Sequence, residues 1–188
     1  NPRDGYANSA NLYLEHFPFI DRLWFGEYFD YNTPPDFWLT EMSGIPFGLM
    51  GEMLQDGGNP WRGMVFGMTN RLPWAGDPRP LWKFWDENHI QQTEMLGYWV
   101  PQNPVKTGRD DVLATVYQGD HRAIVAVGSW AAGDVTLNLT IDWKALGIDP
   151  ARANITAPAI PNFQNETHFA PGKAIPVSAG KGWLLVVD

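Results

Sequence analysis

At Pro101-Gln102-Asn103-Pro104 the residue pattern of this chain changes character. Beyond it, Val112 to Tyr117 and Ala123 to Val127 are β-branched runs flanking Gly119-Asp120, a hairpin signal. Val135, Leu137, Leu139 and Ile141 share one face of a cleanly alternating run. Trp143 to Ile148 reads as one helical turn closed by Gly147. Ile155, the Phe163 and Phe169 region, Ile175 to Val177 and Trp183 to Val187 add short strands. Many short strands with turn residues between them predict a small antiparallel β-sandwich. Ahead of the change, strand-like and helix-like stretches alternate, the pattern of α/β architecture. The chain therefore divides into residues 1–104 and 105–188.

In the first part, Ser9 caps a helix through Phe17 that Pro18 stops. Arg22 to Tyr31 begins apolar and β-prone and releases two carboxylates, Glu27 and Asp30, before Pro34-Pro35, as a buried strand emerging into solvent would. Asp36 is placed to cap a helix from Phe37 to Ser43, with Gly44 as its stop. Gly48 and Gly51, within apolar Ile45 to Leu54, suggest close backbone approach. Asn59-Pro60 opens a helix over Trp61 to Asn70, and Arg79 to Glu87 reads as a helix whose Trp82 and Trp85 belong to the core. Met95 to Val100 is expected as a last strand.

Composition narrows the chemistry. Residues 1–100 carry 13 acids against 6 bases and seven of the ten Trp, whereas the rest is nearly neutral. An acidic, aromatic front half repels phosphate backbones, so neither nucleic acid nor an anionic membrane is expected as partner. No apolar run approaches a membrane span, and the polar opening Asn1-Pro2-Arg3-Asp4 lacks a signal-peptide pattern, as a processed or truncated start would too. The absence of cysteine excludes thiolate catalysis and disulfides. Four scattered histidines have no ligand spacing, and no phosphate loop or serine elbow is present; neither metal nor cofactor is expected.

Carboxylates framed by flat aromatic faces suit sugars, because ring C–H faces stack on Trp and Tyr while carboxylates accept hydroxyl protons. Glu27, beside Trp24 and Tyr28, is the first candidate for acid/base work; the alternative is a structural ion pair with Arg22 or Arg62. Asp30 is the second candidate, against a loop-capping role. Glu52 follows a glycine-rich apolar run and reads either as a ligand contact or as a buried paired acid. Glu41 and Asp56 complete the acids considered. Arg62, Asn70 and Arg71 are placed to hold a hydroxyl-rich ligand near Trp74, or else to pair with neighbouring acids, and Trp61 and Trp74 border loops as stacking platforms.

The runs Asn8-Ser9-Ala10-Asn11-Leu12-Tyr13, Trp24-Phe25-Gly26-Glu27-Tyr28-Phe29-Asp30-Tyr31, Gly44-Ile45-Pro46-Phe47-Gly48 and Asn59-Pro60-Trp61-Arg62-Gly63-Met64 through Asn70-Arg71-Leu72-Pro73-Trp74 resemble the later part of bacterial glycoside-hydrolase-like proteins. These are similar to the family 123 β-N-acetylgalactosaminidases. The resemblance implies the closing part of a (β/α)₈ barrel over residues 1–104 and a β-sandwich over 105–188. It implies hydrolysis of glycosidic bonds in an oligo- or polysaccharide by acid/base carboxylates, in a secreted or periplasmic protein. The second reading is a non-catalytic glycan-binding or accessory module. Family 123 enzymes use an adjacent Asp-Glu pair; Asp86-Glu87, on the Trp-bearing helix, lacks a strand-end context and takes no such role. That pair is expected upstream of Asn1. A chain without the early barrel strands is expected to self-associate or to pair with the missing barrel segment.

Overall fold

A computed structural model describes residues 10–23, 30–53, 58–71 and 76–188. In the first part, a 3₁₀ helix over Ala10–Phe19 runs through Pro18 instead of stopping there. Strand β1 (Arg22–Leu23) then lies parallel to β2 (Met50–Gly51), with Arg22 opposite Met50 and Leu23 opposite Gly51. Between them, α1 (Pro35–Phe37) continues as a π-helical turn over Trp38–Met42. Its first turn begins at Pro35, whose fixed φ suits that position, and Asp36 lies inside the helix instead of capping it. The close approach expected of Gly51 is present. A Cβ there would sit 2.0 Å from the Met42 carbonyl oxygen, so β2 rests directly on the helical turn.

Helix α2 (Pro60–Val65) starts as expected, with the Asn59 side chain accepting from the Arg62 backbone N–H at 3.0 Å. It ends early because Gly67 takes a left-handed φ of 70°, after which Asn70 bridges Met53 in parallel. Helix α3 (Arg79–Glu87) has the expected bounds.

The strand expected near Met95 is β3 (Glu94–Leu96), which pairs antiparallel with a strand of the second part. There follow β4 (Val105–Lys106), β5 (Val112–Gln118), β6 (Ala123–Ser129), β7 (Val135–Leu137), β8 (Thr140–Ile141), α4 (Trp143–Leu146), β9 (Ile155–Ala157), β10 (Thr167–Phe169), β11 (Ile175–Val177) and β12 (Gly182–Val187). Six of these strands form one antiparallel sheet in the order β10-β9-β12-β6-β5-β3. The alternating run Val135 to Ile141 is split between two ladders, because β7 pairs with β11 and β8 with β4.

Every residue of β6 is buried, and its alternate side chains feed two cores. Val125 and Val127 pack with Val105, Leu137, Ile175 and Val177 under the two small ladders. Ile124 and Ala126 pack with Met64 of α2 and Leu81 and Phe84 of α3 on the other face. Helix α2 can approach this closely because Gly128 has no side chain: a Cβ there would meet Val65 Cγ2 at 2.8 Å. A third core centres on fully buried Trp38, whose ring centroid lies within 5.6–5.9 Å of those of Tyr31, Phe66 and Trp130. The first part is thus a short parallel patch with its helices, the second an antiparallel sheet-rich body, and the described strands leave the parallel patch open.

Candidate active site

The parallel patch sets the geometry. Met53 N donates to the Thr69 carbonyl at 3.2 Å and Arg71 N to the Met53 carbonyl at 3.0 Å, which fixes the register of Asn70 against the extension of β2. With β1 parallel to β2, three chain segments run in one direction and reach one edge with their C-terminal ends. The chain re-enters the described structure at Asp30, Gly58 and Gly76 after those ends. In parallel α/β architectures that edge carries the functional groups.

Glu27, Trp24, Tyr28, Trp74 and Asp56 lie outside the described residues. Asp30 is exposed, and its Oδ1 accepts from the Asn32 backbone N–H at 2.9 Å, while its carbonyl accepts from Thr33 at 3.0 Å. It therefore caps a tight turn over residues 30–33 and presents a carboxylate beside solvent.

Arg62 is placed very differently from an open cleft residue. It is 5% exposed. Its Nε donates to the Ser129 carbonyl at 2.8 Å, and one terminal nitrogen donates to the Tyr31 carbonyl and to Asn32 Oδ1. Burial holds its guanidinium below the ordinary arginine value, and the Asp30 carboxylate opposes that shift. The residue braces the turn that follows Asp30 against the end of β6. Trp130, which the sequence did not mark, completes the brace: its indole N–H donates to the Thr33 carbonyl at 2.9 Å. Nearby, Asn59 Nδ2 donates to the Gly180 carbonyl at 2.8 Å.

Trp61 stacks on Phe163 at 5.2 Å, with the Lys181 ammonium 5.5 Å from its ring centroid, so its ring is already engaged by the second part. Asn70 is buried where the loops return: a Cβ on Gly58 would lie 2.5 Å from its Oδ1, and one on Gly76 would lie 3.3 Å from its Nδ2. Arg71 is half-buried. Asp77 grips Arg79 through both carboxylate oxygens, at 2.8 and 2.6 Å, and this pairing lowers its carboxyl to about 2.

Glu52 lies between β2 and Met53 and lines a groove of about 670 Å³ with Met50, Thr69, Trp82, Asp86 and Gln91. Trp82 is not a core residue: it is 41% exposed, because Leu81 and Phe84 form the face of α3 that packs on the sheet. Among the described residues no group of three or more His, Asp and Glu gathers as a metal site, and no helix is long and apolar enough to cross a membrane.

No curated protein matches the chain. Residues 1–73 match the family model described as the glycoside hydrolase 123 TIM-barrel domain, and residues 77–188 match the one described as the glycoside hydrolase 123 C-terminal domain. The two matches take in the parallel patch and the antiparallel body in turn, and on them the chain belongs to the glycoside hydrolase 123 family.

Proposed function

We propose that this chain contributes an acid-bearing edge to a carbohydrate-active site that hydrolyses glycosidic bonds, with Glu27 and Asp30 as its carboxylates. The observation that supports this reading is the parallel register, which sends β1, the extension of β2 and the Asn70 segment toward one edge, with Asp30 held in a braced turn beside it. Glycosidic cleavage requires one carboxyl group to protonate the leaving oxygen and a second group as nucleophile, base or orienting partner. In this reading the parallel strands are the closing part of a (β/α)₈ barrel. Exposed Phe19 and Met50 then belong under an upstream barrel segment or a second copy of the chain. A polymeric saccharide substrate favours a secreted or periplasmic location, which cell fractionation tests.

The experiment is hydrolysis of aryl-glycosides, N-acetylated ones included, by the wild type and by Glu27→Gln and Asp30→Asn. Loss of an acid/base group lowers the rate by about 10²–10⁴-fold. Activity that survives Glu27→Gln removes Glu27 from the mechanism. Binding without turnover supports the second reading, a glycan-binding or accessory module, which the partly exposed ring of Trp82 favours.

A further inference from the structure

An acid on a loop is only as well placed as the loop that carries it, because connecting segments are the more mobile parts of a fold. At the Asp30 turn the link to the rest of the protein is Asn32. Its backbone N–H donates to Asp30 Oδ1 at 2.9 Å, and its own side-chain Oδ1 accepts from the Arg62 guanidinium at 3.3 Å. One exposed residue thus joins an exposed carboxylate to a buried cation. Only one oxygen of Asp30 is engaged in this way. Among the described residues the other has no hydrogen-bond partner and is left for a ligand.

The anchors at the far end of this link belong to the second part of the chain. Ser129, the last residue of β6, accepts the Arg62 Nε–H on its carbonyl, and its own backbone N–H donates to the Lys181 carbonyl at 2.8 Å. Trp130 follows directly. Its backbone N–H donates to the Asp111 carbonyl at 2.7 Å, its ring meets those of Trp38 and Phe66, and its indole N–H holds the Thr33 carbonyl. The Thr33 N–H in turn closes on the Asp30 carbonyl at 3.0 Å. Two routes therefore converge on Asp30 from one corner of the sheet, through Arg62 and Asn32 and through Trp130 and Thr33. Stability alone does not call for the contact to the Asn32 side chain, since water serves an exposed amide oxygen nearly as well. What that contact adds is order at the turn.

We infer that Asn32 and Trp130 are positioning residues, through which the second part of the chain sets the direction of the Asp30 carboxylate toward a bound saccharide. The ligand rests on the carbohydrate reading above; the positioning rests on the hydrogen bonds alone. The sheet-rich region is thereby a working component of the site. Misplacing an orienting group by about 1 Å costs up to about 10²-fold in rate, so even a partial loosening of this turn is measurable.

Two measurements on the whole chain test this, with Asn32→Ala and Trp130→Phe, neither of which removes Asp30. The first is amide hydrogen exchange by NMR. The backbone amide of residue 32, which reports its bond to Asp30 Oδ1, is expected to exchange about ten-fold faster in both variants, with a much smaller change at Val125 in β6. The second is aryl-glycoside hydrolysis below the unfolding range. Here kcat is expected to fall about ten-fold while KM changes little, and Asn32→Asp, which keeps an oxygen for Arg62, recovers most of the loss. A merely structural role would lower the thermal midpoint and leave kcat of the folded protein intact. Unchanged exchange at residue 32 in both variants overturns the inference, as does full kcat in both when Asp30→Asn is inactive. If the wild type cleaves no aryl-glycoside, or Asp30→Asn is fully active, it is the carbohydrate reading that fails, and the exchange rates still decide the positioning.

Discussion

The Arg62 guanidinium carbon lies 5.1 Å from the ring centroid of Trp130, and the two residues hold one turn from two sides. Arg62 donates to the Tyr31 carbonyl and Trp130 to the Thr33 carbonyl, so the segment after Asp30 is fastened to the end of β6. The positive charge above an indole face adds an attraction that grows when water is excluded.

Replacing Arg62 with Leu leaves the Tyr31 and Ser129 carbonyls without their donors inside the protein. A destabilisation of roughly 2–4 kcal/mol is expected, read as a lower denaturant midpoint. Arg62→Lys restores a charge but not the planar fork that reaches both carbonyls, and recovers only part of the loss.

Trp130→Phe keeps a ring against Trp38 and Phe66 but removes the donor to Thr33. A cost of about 1 kcal/mol is expected from that one hydrogen bond. Because Arg62 and Trp130 hold the same turn, the double variant should lose less than the two single losses added together.

Gly51→Ala places a methyl group 2.0 Å from the Met42 carbonyl oxygen, where backbone must give way. Expected destabilisation is about 1–3 kcal/mol. Gly133→Ala, with nothing within 4 Å of its Cβ, is the control and should shift the thermal midpoint very little.

Tyr98 and Tyr117 set an alkaline limit. Burial raises both phenols above their ordinary value of 10.0, aided at Tyr98 by the Asp36 carboxylate that accepts its hydrogen bond at 3.3 Å. The folded state therefore holds these protons more tightly than the unfolded chain. Their contribution is complete below pH 10.0 and declines as pH rises beyond it. Phenolate absorbance from these two residues should appear together with loss of the circular dichroism of the fold, not before it.

Much of the second part was legible because its strands obey simple alternation. β5, β6, β11 and β12 fall within a residue or two of the runs that announced them, and Gly147 closes α4 with a left-handed φ of 68°, as its position implied. The alternating run at Val135 to Ile141 misled because periodicity marks faces, not partners: two ladders divide it. In the first part, α3 was readable from its own spacing. The Asn70 bridge was not, since a helix-like run conceals a glycine turn at Gly67 followed by a single parallel contact.

At the candidate site, the sequence identified Arg62 and Trp61 as important side chains but could not supply their partners. Their partners are far off in the chain: Tyr31 and Ser129 for Arg62, 31 and 67 positions away, and Phe163 and Lys181 for Trp61. No local pattern encodes such distances. The helical spacing of Leu81, Trp82 and Trp85 reads as a core-facing set, yet Trp82 is 41% exposed. One step around a helix is about 100°, which is enough to turn a ring from the sheet to the groove.

Helix α2 lies within the stretch that matches the barrel model, yet Val65 meets β6 at Gly128, and Met64 shares a core with Ile124, Ala126 and Leu184. The covalent join between the two family regions is therefore not a mechanical seam. A recombinant piece beginning at residue 77 would bare this apolar floor and clump, whereas a swap of barrel halves between relatives would have to carry the helix and its glycine bed together.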